Sequence, residues 1–265
     1  MSKIEKNLRE VKKLNELQMR DGILNGLHPV VKLVTTILYI LALVSFPKYQ
    51  VVPCFVMCIY LILLFNLGDL SIWDGIRRMK LILPLVCVVG IFNPFFDHTE
   101  ITRVGIVITG GMVSMITLML KGIYAVLASY ILIATTSIED ICYALRWFHM
   151  PKILVTVILL IDRYFYILGE EAGRIMAAYK LRAPKQNGIH YKAWGPLVGQ
   201  WLLRSMDRAE VVYESMSLRG FRGEFTYAGR KSFRWVDIAY LVFWCAVFYL
   251  LRYTAVLEML GQMFI

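Results

Sequence analysis

Apolar runs about as long as a bilayer is thick recur along this chain: Val30 to Phe46, Val51 to Leu67, Leu81 to Phe96, about Met112 to Ala134, and Val236 to Leu251. A helix needs about 20 mostly apolar residues to cross the hydrocarbon core, and there every backbone N–H and C=O must be satisfied internally, so runs of this kind read as helices. The composition agrees. Of 265 residues, 58% are hydrophobic and 18% charged, where soluble domains carry about 25% charged residues. A single soluble core has no use for that surplus. The expected fold class is an all-α integral membrane protein with about five transmembrane helices and one long helical module between the last two.

The connections are as informative as the runs. Pro47-Lys48 ends the first run and the second follows at once, which makes a hairpin through the bilayer. Gly68 to Lys80 is polar and holds Arg77, Arg78 and Lys80, and the third run closes on Asn93-Pro94-Phe95-Phe96. The chain turns over Asp97 to Arg103, and a short approach segment from Gly105 leads past Gly110-Gly111 into the fourth run, which contains Lys121. From Thr136 to Trp235 charges recur through three helical stretches, separated by His149-Met150-Pro151 and by Ala183 to Gly188. The apolar stretch Ile153 to Ile161 within it is too short to span. The organisation is therefore a membrane part over 1–135, a cytoplasmic module over 136–235, and a last helix with its tail over 236–265. Met1 to Gln18 has apolar residues at helical spacing and no cleavage-site pattern, so it reads as a retained amphipathic surface helix.

Charge settles the orientation and removes a competing reading. With the N-terminus inside, six Lys and Arg precede Pro29, three lie in Gly68 to Lys80 and fifteen in Thr136 to Trp235, against Lys48, Arg103 and Arg252 outside. Such a positive-inside asymmetry sets a cytoplasmic N-terminus and an external C-terminus in the cell membrane. The net charge of +10 is thereby a property of topology, and nucleic acid is not an expected partner. Pro29 and Lys32 read as anchors at the cytoplasmic end of the first span, the proline as a first-turn residue and the lysine snorkelling to the membrane face.

Nothing in the sequence carries catalysis. No Gly-x-x-x-x-Gly-Lys-Ser/Thr loop is present, so any ATP hydrolysis belongs to another polypeptide. The five cysteines lie mostly in apolar runs as small hydrophobes, and Cys54 and Cys58, one turn apart, lack further ligands. The four histidines, His28, His98, His149 and His190, are scattered. No cofactor and no metal site are expected, and the chain is read as a non-enzyme.

In the module, Pro151 to Ala183 has Leu168, Ala172, Ile175 or Met176 and Tyr179 on one face, and Ala193 to Leu218 has a second stripe of Val198, Trp201, Leu202, Met206, Ala209, Val212 and Met216. Two amphipathic helices of this kind predict a packed pair. The first is ended by the breaker Pro184 to Gly188, the second by Gly220 as a C′ glycine. At the two ends stand Leu181-Arg182-Ala183 and Leu218-Arg219-Gly220. An arginine at a helix C-terminus complements the dipole, and it is also the side chain suited to a forked contact with a partner's carboxylate.

The sequence resembles the transmembrane T component of energy-coupling factor (ECF) transporters, the EcfT/CbiQ family. The resemblance runs over Leu27-His28-Pro29-Val30-Val31-Lys32-Leu33, Phe92 to Phe96, Thr135-Thr136, Ala144-Leu145, Met150-Pro151, Arg163-Tyr164, Glu170-Glu171 and the two arginine signatures. The second copy, Leu218-Arg219-Gly220, is nearer the family's Ala-Arg-Gly pattern; the first has Ala183 in place of the glycine. The detail around Phe92 to Asp97 and Leu218 to Gly223 is most similar to the cobalt/nickel branch, CbiQ. The resemblance implies a scaffold joining two cytoplasmic ABC-type ATPases to a membrane-embedded substrate-binding S component in the lipid bilayer. Leu181, Arg182, Ala183, Leu218, Arg219 and Gly220 would be the ATPase-coupling residues, and the cargo would be cobalt or nickel. A vitamin importer's T component, or a stand-alone carrier or channel, are the alternatives.

The charge asymmetry generates a direct test. An impermeant maleimide applied to intact cells should modify a cysteine placed near Ile265 and spare one placed at Asn187; labelling at Asn187 overturns the topology.

Overall fold

A computed structural model of the chain describes residues 15–18, 22, 24–47, 51–79, 84, 88, 90–91, 100–103, 106–184, 188–225 and 232–253. The N-terminal surface helix before residue 15, most of the third run with its Asn93-Pro94 ending, and the tail after residue 253 lie outside the described residues. The chain divides into two compact units, one of Met1–Glu16 with Ile138–Arg230 and one of Leu17–Ser137 with Lys231–Ile265.

The second unit is a helical bundle. Its elements are α1 (Pro29–Ser45), α2 (Val51–Val56), α3 (Cys58–Leu67), α4 (Ile72–Met79), a two-stranded antiparallel hairpin of β1 (Glu100–Arg103) and β2 (Ile106–Thr109), α5 (Gly110–Thr135) and α9 (Trp235–Tyr253). α5 and α9 are long and apolar enough to cross a bilayer, and Pro29–Ser45 and Pro53–Leu67 are shorter apolar helices. α1 shows why this is a membrane fold rather than a soluble one. Val31, Thr35, Tyr39 and Leu43 form its buried line, while Ile37, Leu41 and Val44 on the other side are apolar and exposed. A helix that is apolar all round needs an apolar solvent.

Polar side chains in that medium are satisfied locally. Thr35, Thr36, Thr117, Ser129 and Thr135 each donate their hydroxyl to the carbonyl four residues back, at 2.7–2.9 Å, which lets them face the bundle without an orphan O–H. The centre is aromatic. Tyr39, with no exposed surface, stacks on Tyr60 at 4.5 Å, and Tyr60 meets Trp244 edge-on at 4.5 Å. The Tyr39 hydroxyl donates to the Met57 carbonyl at 3.3 Å, at the residue where the second apolar run breaks into α2 and α3.

Lysines tie the bundle end to end. Lys32 on α1 donates to the carbonyl of Thr135, the last residue of α5, at 2.9 Å. Lys121 on α5 donates to the carbonyls of Val44 and Phe46 at the end of α1, at 3.3 and 2.5 Å. Each helix thus supplies an ammonium to carbonyls left over at the other's C-terminus, which requires the two to run antiparallel. α9 runs with α1. The buried carboxylate of Asp237 in its first turn accepts the His28 N–H at 2.9 Å, and Arg252 in its last turn donates to the Ser45 hydroxyl at 3.2 Å. Residues 135 and 237 therefore lie at one end of this bundle, so the chain leaves and re-enters it on the same side. Exposed Trp73 and Trp235 stand at that end with Arg77 and Arg234, the mix of side chains that favours a bilayer–water boundary.

Three departures from the sequence reading have local causes. Gly68 to Lys80 is not merely a polar connection: α4 forms there, with Gly75 so close to α5 that an added Cβ would lie 3.3 Å from Leu127, Phe65 and Tyr130. Within the turn and approach segment, Glu100–Arg103 and Ile106–Thr109 pair as antiparallel strands, for which the β-branched Ile106-Val107-Ile108-Thr109 is suited. Lys32, 6% exposed, turns inward onto Thr135 instead of snorkelling to the membrane face, because a helix C-terminus lies within its reach.

The first unit consists of α6 (Ile138–Trp147), α7 (Lys152–Arg182) and α8 (Tyr191–Leu218). α6 packs on the start of α7 around Cys142, Ala144 and Val155, all buried. The two breaks in the sequence are the two helix boundaries, His149 adopting φ 60° between α6 and α7.

The role of Lys121 follows from its partners. Lys121→Met should lower the stability of the detergent-purified protein by about 1.5–3 kcal/mol, the worth of hydrogen bonds to a charged group, read as a fall in the thermal unfolding midpoint, with transport by the folded fraction retained. Lost transport at unchanged stability would make Lys121 a pathway residue instead.

Candidate functional site: two leucine-arginine helix tips

α7 and α8 are antiparallel and tied along their length. At one end the His190 N–H donates to the Tyr179 hydroxyl at 3.1 Å, and the His190 ring nitrogen Nδ1 accepts from Lys192 N–H at 3.3 Å, capping α8. Further along, the Trp201 indole donates to the Leu168 carbonyl at 3.1 Å, and Arg204 pairs with Glu171, which Arg174 also approaches at 3.7 Å. The hydrogen bond from Arg204 is the main cause holding the Glu171 carboxyl below its ordinary range. A carboxylate depressed in this way stabilises above the usual carboxylate range and loses that contribution as pH falls.

The packed pair expected from the two apolar stripes is realised only in part. α8 has no fully buried residue. Its inward line is Ala193, Leu197, Trp201, Ser205, Val212 and Met216, all half-buried, while Val198, Leu202 and Met206 of the expected stripe are 47–60% exposed. α8 therefore keeps a second apolar row, Val198, Leu202 and Met206, exposed.

The two tips end differently. α7 closes with the Ala183 N–H on the Tyr179 carbonyl at 3.0 Å and Ala183 at φ −129°. That conformation is open to any residue, so alanine serves where the family pattern has glycine. α8 ends in a Schellman turn: Phe221 N–H reaches the Met216 carbonyl and Gly220 N–H the Ser217 carbonyl, both at 3.0 Å, with Gly220 at φ 81°. A left-handed residue at C′ is the place for glycine.

Leu181 is 82% and Leu218 90% exposed, and Arg182 and Arg219 are exposed beside them. Among the described residues neither guanidinium has a hydrogen-bond or ion-pair partner. Because the helices are antiparallel, the tips lie at opposite ends of the pair. From Tyr179 back to Thr156, where the chain after α8 is attached, α7 rises by about 35 Å. The six tip residues are thus not one site but two separate ones. The anchor residues lie in the other unit: Pro29 is the first residue of α1 behind the cap His28, whose Nδ1 accepts from Val30 N–H at 3.3 Å, and Lys32 is buried on Thr135. Among the described residues no three His, Cys, Asp or Glu side chains gather where they could hold a metal ion.

A family model described as cobalt transport protein, CbiQ, matches residues 21–228, from before α1 through both tips. The chain belongs to the CbiQ cobalt transport protein family. CbiQ proteins are a transport family, and with its apolar helices this chain is a membrane protein of that class. It is 28% identical over 103 residues to nickel permease LarQ of Lactiplantibacillus plantarum, covering 39% of this chain and 38% of the permease. It is 22% identical over 233 residues to an uncharacterised protein of Methanocaldococcus jannaschii, 84% of this chain and 79% of that one. A second uncharacterised protein of the same organism is 30% identical over 91 residues, 34% of each chain.

Two ties of this CbiQ module were not legible in the sequence. Arg204 and Glu171 are 33 residues apart, so no helical spacing announces them. Glu224 gave a fainter signal, as a lone acid in the basic stretch that follows Arg219.

The Schellman turn makes a quantitative claim. Gly220→Ala should destabilise the α8 end by about 1–2 kcal/mol, the cost of a left-handed L-residue, seen as faster amide exchange at Arg219 to Phe221 with the rest of α8 unchanged.

Proposed function

We propose that this chain is the non-catalytic transmembrane scaffold of an ECF-type ABC importer, passing motion from two cytoplasmic ATPases to a membrane-embedded S component. The observation that carries the reading is the pair of exposed Leu-Arg tips, unpartnered among the described residues, at opposite ends of one helix pair. A single partner would be met by one tip, or by tips side by side; two tips about 35 Å apart suit two copies of a similar subunit. An exposed leucine beside an exposed guanidinium offers an apolar plug and a forked donor, the combination found at interface anchors. The uncovered Val198, Leu202 and Met206 row adds apolar surface for the same assembly.

In this reading the module 136–235 is cytoplasmic, the parts 1–135 and 236–265 form about five spans in the cell membrane, and the C-terminus is external. Pro29 starts the first span at its cytoplasmic end, where Lys32 ties α1 to the end of α5. The cargo is a cobalt or nickel ion, in keeping with the family's description and with the nickel permease among the relatives, and the S component supplies its ligands. Hydrolysis belongs to the ATPases.

Breaking a charged contact whose partner stays buried costs about 2–5 kcal/mol, a factor of tens to thousands in affinity; a dipole-capping arginine accounts for about 0.3–1 kcal/mol of local stability and leaves assembly intact. Arg219→Glu should therefore abolish ATPase copurification or uncouple hydrolysis from uptake, with membrane insertion normal. Arg182→Glu should do so more weakly, and lysine at either position should restore only part. Normal ATPase binding and metal uptake in both Glu variants would refute the coupling role.

A further inference from the structure

α8 is 28 residues long and has none of them buried, so the burial that fixes most helices does not fix this one. Its position depends on polar ties, and the ties at its far end are the densest. After the Schellman turn the chain doubles back through Gly223, at φ 87°. The Gly223 carbonyl accepts the buried Thr156 hydroxyl of α7 at 3.2 Å. The next residue, Glu224, sets one carboxylate oxygen between Arg146 in the last turn of α6, at 3.0 Å, and Lys152 at the first position of α7, at 2.9 Å. Arg146 also donates to the Phe225 carbonyl at 3.4 Å, and the rings of Phe221 and Phe225 meet at 5.2 Å.

The site has a reason to hold an acid. α7 begins behind Pro151, which offers no capping side chain, and its first residue is a lysine, the wrong charge for a helix N-terminus. Glu224 brings a negative charge to that end and separates Lys152 from Arg146. Without it, two cations face each other over the start of α7. Five residues of chain, at most about 18 Å, connect Glu224 to Arg219.

We infer that Glu224 is a positioning residue for the coupling tip: its carboxylate, strapped to Arg146 and Lys152 with Thr156 holding Gly223, fixes where Leu218 and Arg219 stand. Lys152, then Arg146, hold the Glu224 carboxyl below its ordinary range, so the strap is charged at neutral pH. The second half of the inference rests on the proposed coupling function; the first half, that the strap orders the tip, does not.

The test separates them. In the full-length purified chain, Glu224→Gln should speed amide exchange over Arg219 to Phe225 roughly three- to tenfold, as expected for a partly exposed charge cluster governing local opening. Exchange in α6 and at Leu168 to Trp201 should not change. Coexpressed with its ATPases, the same variant should lose ATPase association by a similar factor, and Glu224→Arg with Arg146→Glu should recover part of both readouts relative to Glu224→Arg alone. Unchanged exchange over Arg219 to Phe225 overturns the strap. Faster exchange with intact ATPase association, in a background where Arg219→Glu abolishes that association, overturns the positioning role. If Arg219→Glu itself leaves association intact, the coupling function fails, and the exchange result alone decides the strap.

Discussion

The ammonium of Lys32 on the Thr135 carbonyl and that of Lys121 on the carbonyls of Val44 and Phe46 tie the ends of two antiparallel helices to each other. A helix leaves four carbonyls unpaired at its C-terminus, and in hydrocarbon each is costly. By exchanging lysines, α1 and α5 lower that cost for each other, one carbonyl at the end of α5 and two at the end of α1, and fix their mutual register. The remaining members of the bundle are aligned against this pair: α3 through the Tyr39 hydroxyl and the Tyr39–Tyr60 stack, α9 through Asp237 at one end and Arg252 at the other.

Register in the bundle matters to the rest of the molecule because of where the chain leaves it. Thr135 and Asp237 lie at the same end, so the chain leaves and re-enters the bundle at one end. The other unit is built differently, for α8 buries no residue fully. Its order comes from Tyr179, Trp201, Arg204 and Glu224, side chains that form hydrogen bonds and ion pairs, and its apolar Val198, Leu202 and Met206 remain outside. In the proposed importer such a row is surface for assembly.

The two arginine tips show how local chemistry and placement divide. Ala183 and Gly220 differ because the first helix ends at φ −129° and the second at φ 81°, so the change from glycine to alanine between the two signatures is a matter of backbone conformation and leaves the exposed Leu-Arg pair alike in both. The separation of the tips comes instead from the antiparallel pairing of α7 and α8.

What the sequence determined by itself is what depends on short stretches of chain. The apolar runs that became α1, α5 and α9 specified apolar helices, His149 to Pro151 and Ala183 to Gly188 specified the breaks of the module, and Gly220 specified the end of α8, because solvent preference, helix termination and left-handed turns are each decided within a few residues. The tertiary structure alone decided which partners those helices chose. Lys32 could have reached the membrane face and turned inward because the end of α5 was there; Arg204 met Glu171, and Glu224 met Arg146 and Lys152, across separations that no periodicity encodes. Which of two apolar rows on α8 faced α7 likewise appears only in the fold, where the Trp201 indole meets the Leu168 carbonyl. Such contacts join residues 33 to 103 positions apart, and their energies exist only once the backbone has brought the two sides together.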